Sequence, residues 1–363
     1  MAILDLQQIN NSSHILFLTH LAIGDFVYYA PYFRKLSKEF PNLKIDVCID
    51  ESRIKKFMWP GRATKKASVY DWAITCPFFN KVYRISYSKK VLNSVVKDMK
   101  AQEYPIVVFL GVLRMARYNL LARKISEQGF AVGIKSDKNK VDKKLDMCLG
   151  ANIDDLQITN PHISDLYGSW FEKLFGFVLS KEEKYPFIDI PQEWKIKAKK
   201  VIENWGIPLN TSSNKIMFIN AFSSSKKRSW PILNVVDLIK ILRTKERFSN
   251  FNFIINIPPD TLEEDLIFIN NNLPPKSFVF TANENFFQLP AMISLCDFVI
   301  STETSTMHLS QALNIPSLVL KRSKEPEWCP YGMDVENVIF AKNGNWISDI
   351  SVEAVQKKII EFL

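Results

Sequence analysis

Three short segments carry side chains able to move a proton or hold an anion, and each stands between an apolar run and a helical one. The first is Thr19-His20-Leu21-Ala22-Ile23-Gly24-Asp25. Gly24 permits a tight turn, and Asp25 falls at the start of the next helix. A carboxylate there can cap helix amides. At the rim of a cleft it can instead act as a general base, taking the proton of an attacking hydroxyl. One short loop fits both uses.

The second segment is Asn220-Ala221-Phe222-Ser223-Ser224-Ser225-Lys226-Lys227-Arg228-Ser229-Trp230-Pro231. Hydroxyls, consecutive cations and a helix N-terminus converge there, a combination suited to a diphosphate. A polar loop with an ordinary helix cap would have the same composition. The third is Ser301-Thr302-Glu303-Thr304-Ser305-Thr306-Met307-His308. Its hydroxyls and free helix amides can hold phosphate, and its carboxylate can hold ribose or sugar hydroxyls. It can equally be a Ser/Thr-rich cap with His308 facing the core.

Other chemistries lack their signatures. The chain has no Gly-x-Gly-x-x-Gly or Gly-x-x-x-x-Gly-Lys, against a standard dinucleotide dehydrogenase or P-loop NTPase. A Gly-x-Ser-x-Gly elbow is absent, against an α/β-hydrolase. His14, His20, His162 and His308 form no His-Glu-x-x-His pattern, and no Asp-x-Asp pair offers to hold a divalent ion, so no metal site is expected.

The elements that position these segments alternate. In the N-terminal half, strands are predicted at 15–18, 44–49, 82–85, 106–110 and 130–134. Helices are predicted at 25–40, 91–99 and 113–128, the last closed by Gly129 as a C-terminal cap. In the C-terminal half, strands fall at 216–220, 251–257, 277–281, 297–300 and 317–320. Helices fall at 193–205, 231–242, 260–270, 287–295, 306–313 and 351–363, with Ser351 capping the last. Such alternation implies α/β architecture with parallel sheets covered on both faces. The domains are placed at 1–190 and 191–363, with a cleft between them at the carboxyl ends of the strands.

The chain is 363 residues long, natural for two domains. Its net charge of +9 fits either a solvated basic surface or an anionic partner such as a nucleotide-sugar, a phosphorylated glycan or an acidic membrane surface. No zinc-finger spacing or RNA-binding aromatic signature accompanies the charge, so nucleic acid is not the expected partner. Cys48, Cys76, Cys148, Cys296 and Cys329 are scattered and odd in number, which predicts reduced thiols in the cytosol. The first residues do not read as a signal peptide, and no apolar run reaches bilayer length. The segment 55–62 (Lys-Lys-Phe-Met-Trp-Pro-Gly-Arg) could touch a membrane surface or fold inward on Trp59.

The three segments, in this order, resemble the ADP-heptose:lipopolysaccharide heptosyltransferases of glycosyltransferase family 9. The likeness runs through Ile23-Gly24-Asp25 with Pro31 and Pro41, and through Arg228-Ser229-Trp230-Pro231. It continues through Glu303-Thr304-Ser305-Thr306-Met307-His308, then Asn314-Ile315-Pro316 and Trp328-Cys329-Pro330-Tyr331-Gly332. The resemblance implies a GT-B fold, two Rossmann-like doubly wound domains facing a central cleft. It implies an acceptor-binding N-terminal domain and a donor-binding C-terminal one. Asp25 matches the catalytic base, and Gly24 and Arg114 fall on the acceptor side. Ser223, Ser224, Lys227, Arg228, Glu303, Thr304, Ser305, Thr306 and His308 fall on the donor side. The implied reaction is inverting and metal-independent. It transfers heptose from ADP-heptose to the lipid-linked inner core of lipopolysaccharide, with no cofactor beyond the donor. The implied place is the cytoplasm, with peripheral contact at the inner membrane.

Three positions depart from the family pattern. Glu303 stands for its Asp, Ser305 for its Gly, and Arg228 for its Lys. Ser305 gives up backbone freedom, and Arg adds a bidentate fork. These departures bear on donor identity more than on reaction type. They leave open another nucleotide-sugar, or a nucleotide-sugar-binding protein without turnover, against which the retained Asp25 counts; a sugar-nucleotide epimerase is a third reading, disfavoured by the Ile23-Gly24-Asp25 loop.

Overall fold

The computed structural model describes residues 13–50, 69–85, 88–209, 214–259, 261, 263–323, 325–342 and 346–363. The segment 55–62 and the first residues, read above for membrane contact and targeting, lie outside the described residues. The described chain forms two compact units that divide between Tyr185 and Pro186, close to the expected boundary at 190.

In the first unit, β1 (His14–Thr19), β2 (Lys44–Asp50), β3 (Lys81–Ile85), β4 (Ile106–Leu110), β5 (Phe130–Ile134) and β6 (Met147–Leu149) form one sheet. The order is β3-β2-β1-β4-β5-β6 and every pairing is parallel. Ile15, Leu16, Phe17 and Leu18 are buried in succession, without alternation, because helices cover both faces of the sheet. Those helices are α1 (Ile23–Glu39), α2 (Val69–Ala73), α3 (Lys89–Lys100), α4 (Met115–Ile125), α5 (Asn139–Asp142) and α6 (Ile163–Phe175).

The second unit repeats the design. Strands β7 (Lys215–Asn220), β8 (Phe251–Asn256), β9 (Ser277–Phe280), β10 (Phe298–Thr302), β11 (Ser317–Lys321) and β12 (Val338–Phe340) are ordered β12-β11-β10-β7-β8-β9, again all parallel. Helices α7 (Gln192–Asn204), α8 (Ile232–Arg243), α9 (Glu263–Asn272), α10 (Gln288–Ile293), α11 (Ser305–Ala312) and α12 (Val352–Phe362) complete it. In each sheet the order reverses once, between β1 and β4 and between β7 and β10. The loops leaving those strands diverge at a topological switch point, where open α/β sheets bind ligands.

The structure adds β6, β12, the short helices α2 and α5, and α6 to the predicted elements. Helix α6 carries a helical signal in its sequence. Ile163, Leu166, Tyr167, Trp170, Phe171, Leu174 and Phe175 repeat at helical spacing and are buried. His162 caps it, accepting from the Ser164 amide at 3.0 Å, while Asp165 accepts from the His162 amide at 2.9 Å. The helix lies against α1, stacking Tyr167 on Tyr29 (centroids 3.9 Å apart) and Phe171 on Tyr32 (5.2 Å).

Gly129 proves not to be a left-handed cap. Helix α4 ends at Ile125, and Gly129 is absent from the positive-φ residues. Glycine is required there by close approach, since a Cβ would meet the Pro105 carbonyl at 2.6 Å and the Tyr104 carbonyl at 2.8 Å.

Candidate functional site

At the switch point of the first unit, β1 runs into the loop that carries Asp25 onto the third position of α1. Asp25 is half-buried and both of its oxygens are engaged. Oδ2 accepts the Ala22 amide at 2.6 Å, and Oδ1 accepts the Tyr167 hydroxyl at 3.0 Å. The first bond is half of a capping box; Ala22, the N-cap, has no side-chain acceptor with which to return it. Asp25 therefore caps the helix and also stands at the sheet's carboxyl edge. Burial first, then the charge of Asp25, pushes the Tyr167 phenol well above its ordinary range. Tyr167 consequently stays protonated and can only donate to the carboxylate. Tyr29, stacked beneath it, is raised by the same two causes, and its buried hydroxyl makes no hydrogen bond among the described residues.

Gly24 lies half-buried in the first turn of α1. Arg114 is exposed on the loop after β4, on the other side of the switch point. It is the N-cap of α4 rather than a residue within it, held at φ 55°, in the left-handed region. Below it, Tyr118 donates a short hydrogen bond to Asp50, and its hydroxyl lies 3.3 Å from His20 Nδ1. All three of these residues are buried, which ties the ends of β1 and β2 to α4.

In the second unit, the loop after β7 folds on its own hydroxyls. The Ser223 amide donates to Ser229 Oγ at 3.0 Å, and Ser229 Oγ donates to the Ser225 carbonyl at 3.1 Å. Arg228 Nη2 donates to Ser224 Oγ at 3.3 Å, and Lys227 Nζ lies 5.6 Å over the Trp346 ring. Ser224 and Lys227 are exposed. Trp230 anchors the loop in the core, its Nε1 donating to the Ile350 carbonyl at 2.8 Å.

Across the switch point, Thr304 is the N-cap of α11 but forms no side-chain cap bond. Its hydroxyl instead accepts from Asn220 Nδ2 at 2.9 Å, and Asn220 Oδ1 accepts from Asn256 Nδ2 at 2.7 Å. A polar ladder thus joins the ends of β8 and β7 to the α11 loop. The first amides of α11 are left without a side-chain cap, an arrangement that can receive an anion. Ser305 begins the helix and is not among the positive-φ residues, so the loop has no need of a glycine there. Thr306 and His308 are buried, and the His308 ring packs 6.2 Å from Trp328.

Glu303 is buried as well. Its carboxylate accepts from Arg322 Nε in a short bond and from the Arg322 amide at 3.3 Å, and Lys321 Nζ lies 3.5 Å away. The switch points bring Asp25 and Gly24 opposite Arg114 in the first unit. In the second, the loops that leave the neighbouring strands β7 and β10 are joined through Asn220 and Thr304. Sequence reading missed Tyr167, Asn220 and Asn256 as partners of these loops, and missed Lys321 and Arg322. The strand-end placement of Asn220, Asn256 and Lys321 was the available signal. Among the described residues, no group of three or more His, Cys, Asp or Glu could hold a metal ion. No helix among them is long and apolar enough to cross a membrane.

No protein-family model and no curated protein matches this sequence. Solved structures match nearly all of it. A family 9 glycosyl transferase from Veillonella parvula DSM 2008 gives a TM-score of 0.75 at 18% identity, over 98% of this chain and 97% of that one. The fold is that of the GT-B glycosyltransferases. E. coli heptosyltransferase WaaC with ADP gives 0.67 at 16% identity, over 96% of this chain and all of that one (100%). E. coli ADP-heptose lps heptosyltransferase II gives 0.66 at 13% identity, over 96% and 98%. The likeness is one of backbone, so the roles of side chains in this GT-B chain rest on the geometry described above.

Proposed function

We propose that the chain is an inverting glycosyltransferase that moves heptose from ADP-heptose to a hydroxyl of the lipopolysaccharide inner core. The carrying observation is positional. The Asp25 loop, the Ser223–Arg228 loop and the Glu303–Ser305 loop each leave a strand that flanks a switch point. The likeness to the fold of heptosyltransferases supports the reading.

Asp25 takes the proton of the acceptor hydroxyl as that oxygen attacks the anomeric carbon of the donor. The carbon–oxygen bond to the nucleoside diphosphate breaks on the opposite face, and the diphosphate leaves with the electron pair. Lys227, Arg228 and the uncapped start of α11 stabilise the departing charge, so a divalent ion is not needed in this scheme. Ser223, Ser224, Thr304, Ser305 and Thr306 supply hydroxyls and amides to the donor, with His308 beneath them. Arg114 pairs with a phosphorylated acceptor, beside Gly24. The enzyme works in the cytoplasm, where its basic charge suits peripheral contact with the inner membrane.

Calorimetric titration with ADP, UDP and GDP, without divalent metal, tests the reading. Selective ADP binding, retained by Asp25→Ala, is expected. Preference for UDP or GDP would remove the heptose assignment and keep a transferase. Absence of binding by all three would remove the donor site.

A further inference from the structure

Two cations share the Glu303 carboxylate. Glu303 and Lys321 are almost wholly buried, with side chains 6% and 1% exposed and 3.5 Å between them. Arg322, with a side chain only 18% exposed, adds a second cation to the same carboxylate through Nε. The trio sits at the end of β11 beside the uncapped start of α11, itself a positive helix end able to receive an anion.

Arg322 is also arranged to receive one. Glu303 Oε2 accepts its backbone amide and Oε1 accepts its Nε, so one carboxylate holds Arg322 at its backbone and at the base of its guanidinium. Nη1 and Nη2 make no hydrogen bond among the described residues, which leaves a planar pair of donors oriented but unused.

We propose that Arg322 binds a phosphate oxygen of the donor's diphosphate, and that Glu303 is its positioning residue rather than a ligand for sugar hydroxyls. The inference rests on the donor site proposed above and names a contact that site had not included. It explains how a carboxylate can stand beside an anion-binding helix start without repelling the anion, because its charge is consumed by two cations.

The test titrates the parent, Arg322→Gln, Arg322→Lys and Glu303→Gln with ADP, UDP and GDP, and with the matching nucleosides. Thermal melting checks each fold. For whichever diphosphate the parent binds, Arg322→Gln should weaken affinity about 10- to 100-fold and leave its nucleoside unchanged. Arg322→Lys, which keeps the charge without the fork, should fall between. Glu303→Gln should also weaken the diphosphate although it deletes a negative charge; if Glu303 merely repelled the ligand, that variant would bind tighter. If Glu303→Gln fails to fold, the two Arg322 variants decide alone. Parental diphosphate affinity in Arg322→Gln, or an equal loss for the nucleoside, overturns the proposal while the donor site stands. A parent that binds none of the three diphosphates overturns both.

Discussion

The hydroxyl of Tyr167 and Oδ1 of Asp25 are 142 residues apart in sequence and 3.0 Å apart in the fold. The bond crosses from α6 to α1, and the two helices are also held by the stacked rings of Tyr29 and Tyr167. Asp25 is consequently fixed from two sides, by the Ala22 amide and by a phenol that cannot ionise at working pH. In the proposed transfer Asp25 is the general base, and the Tyr167 hydrogen bond is what aims it.

Tyr167→Phe keeps the ring stack and deletes only that bond. A hydrogen bond to a charged group contributes about 1.5–3 kcal/mol, so kcat should fall on the order of tenfold or more. Nucleoside diphosphate affinity should change little, while Tm should fall by about 2–4 °C for each kcal/mol lost. Steady-state kinetics beside a melting curve checks this. An unaltered kcat would show that the Ala22 amide alone orients Asp25.

Asp25→Asn preserves the shape of the loop and removes the proton acceptor. Turnover should drop by about 10²–10⁴, while donor binding measured by calorimetry stays at the parental value. Joint loss of binding and turnover would make Asp25 a structural cap whose removal disturbs the loop.

The sheets were legible in the sequence because their strands are buried on both faces and read as unbroken apolar runs, such as Ile15 to Leu18 and Ile106 to Leu110. Loop positions followed from them. Helix α6 lies outside the predicted elements although its apolar spacing is clear, and with it lies Tyr167, the partner of Asp25. The short strands β6 and β12 have too few residues to show a pattern. What sequence could not reveal was pairing at a distance. Glu303 looked like a free carboxylate next to hydroxyls, and only the adjacency of β10 and β11 brings Lys321 and Arg322 to it. Gly129 invited the opposite error, since a glycine after a helix suggests a left-handed cap whereas here it makes room for the carbonyls of Tyr104 and Pro105.

Asn220 is the middle rung between Asn256 and Thr304. Asn220→Ala leaves the Asn256 amide and the Thr304 hydroxyl without it, at a cost of about 1–3 kcal/mol. For a unit of this size that corresponds to about 2–4 °C in Tm per kcal/mol. Thr304 also loses its anchor, so diphosphate affinity should weaken together with stability. Calorimetry and melting on one preparation measure both. A lower Tm with unchanged affinity would separate the ladder from the donor loop.

Stability should fall on the alkaline side, and the sign follows from the buried thiols. Burial, then the charge of Asp297, pushes the Cys296 thiol far above its ordinary range, and Cys48 is raised by burial and then Asp50. An unfolded thiol titrates near pH ~8.5. Above that pH the unfolded chain has lost protons that the native chain keeps, so unfolding releases protons and rising pH favours it. Below it both states are protonated and the contribution is fully present. Each buried thiol should therefore cost about 1.4 kcal/mol per pH unit above the unfolded value, and the raised phenols of Tyr29 and Tyr167 add to the decline from about pH 10. Cys296 Sγ donates to the Met292 carbonyl at 3.2 Å, so Cys296→Ala should lower stability at every pH. It should nevertheless flatten the decline between neutral and alkaline pH, because one of the retained protons is gone. Urea unfolding in reductant at pH 7.5, 8.5 and 9.5 measures the slope, and equal slopes for parent and variant would mean that Cys296 ionises in the folded chain.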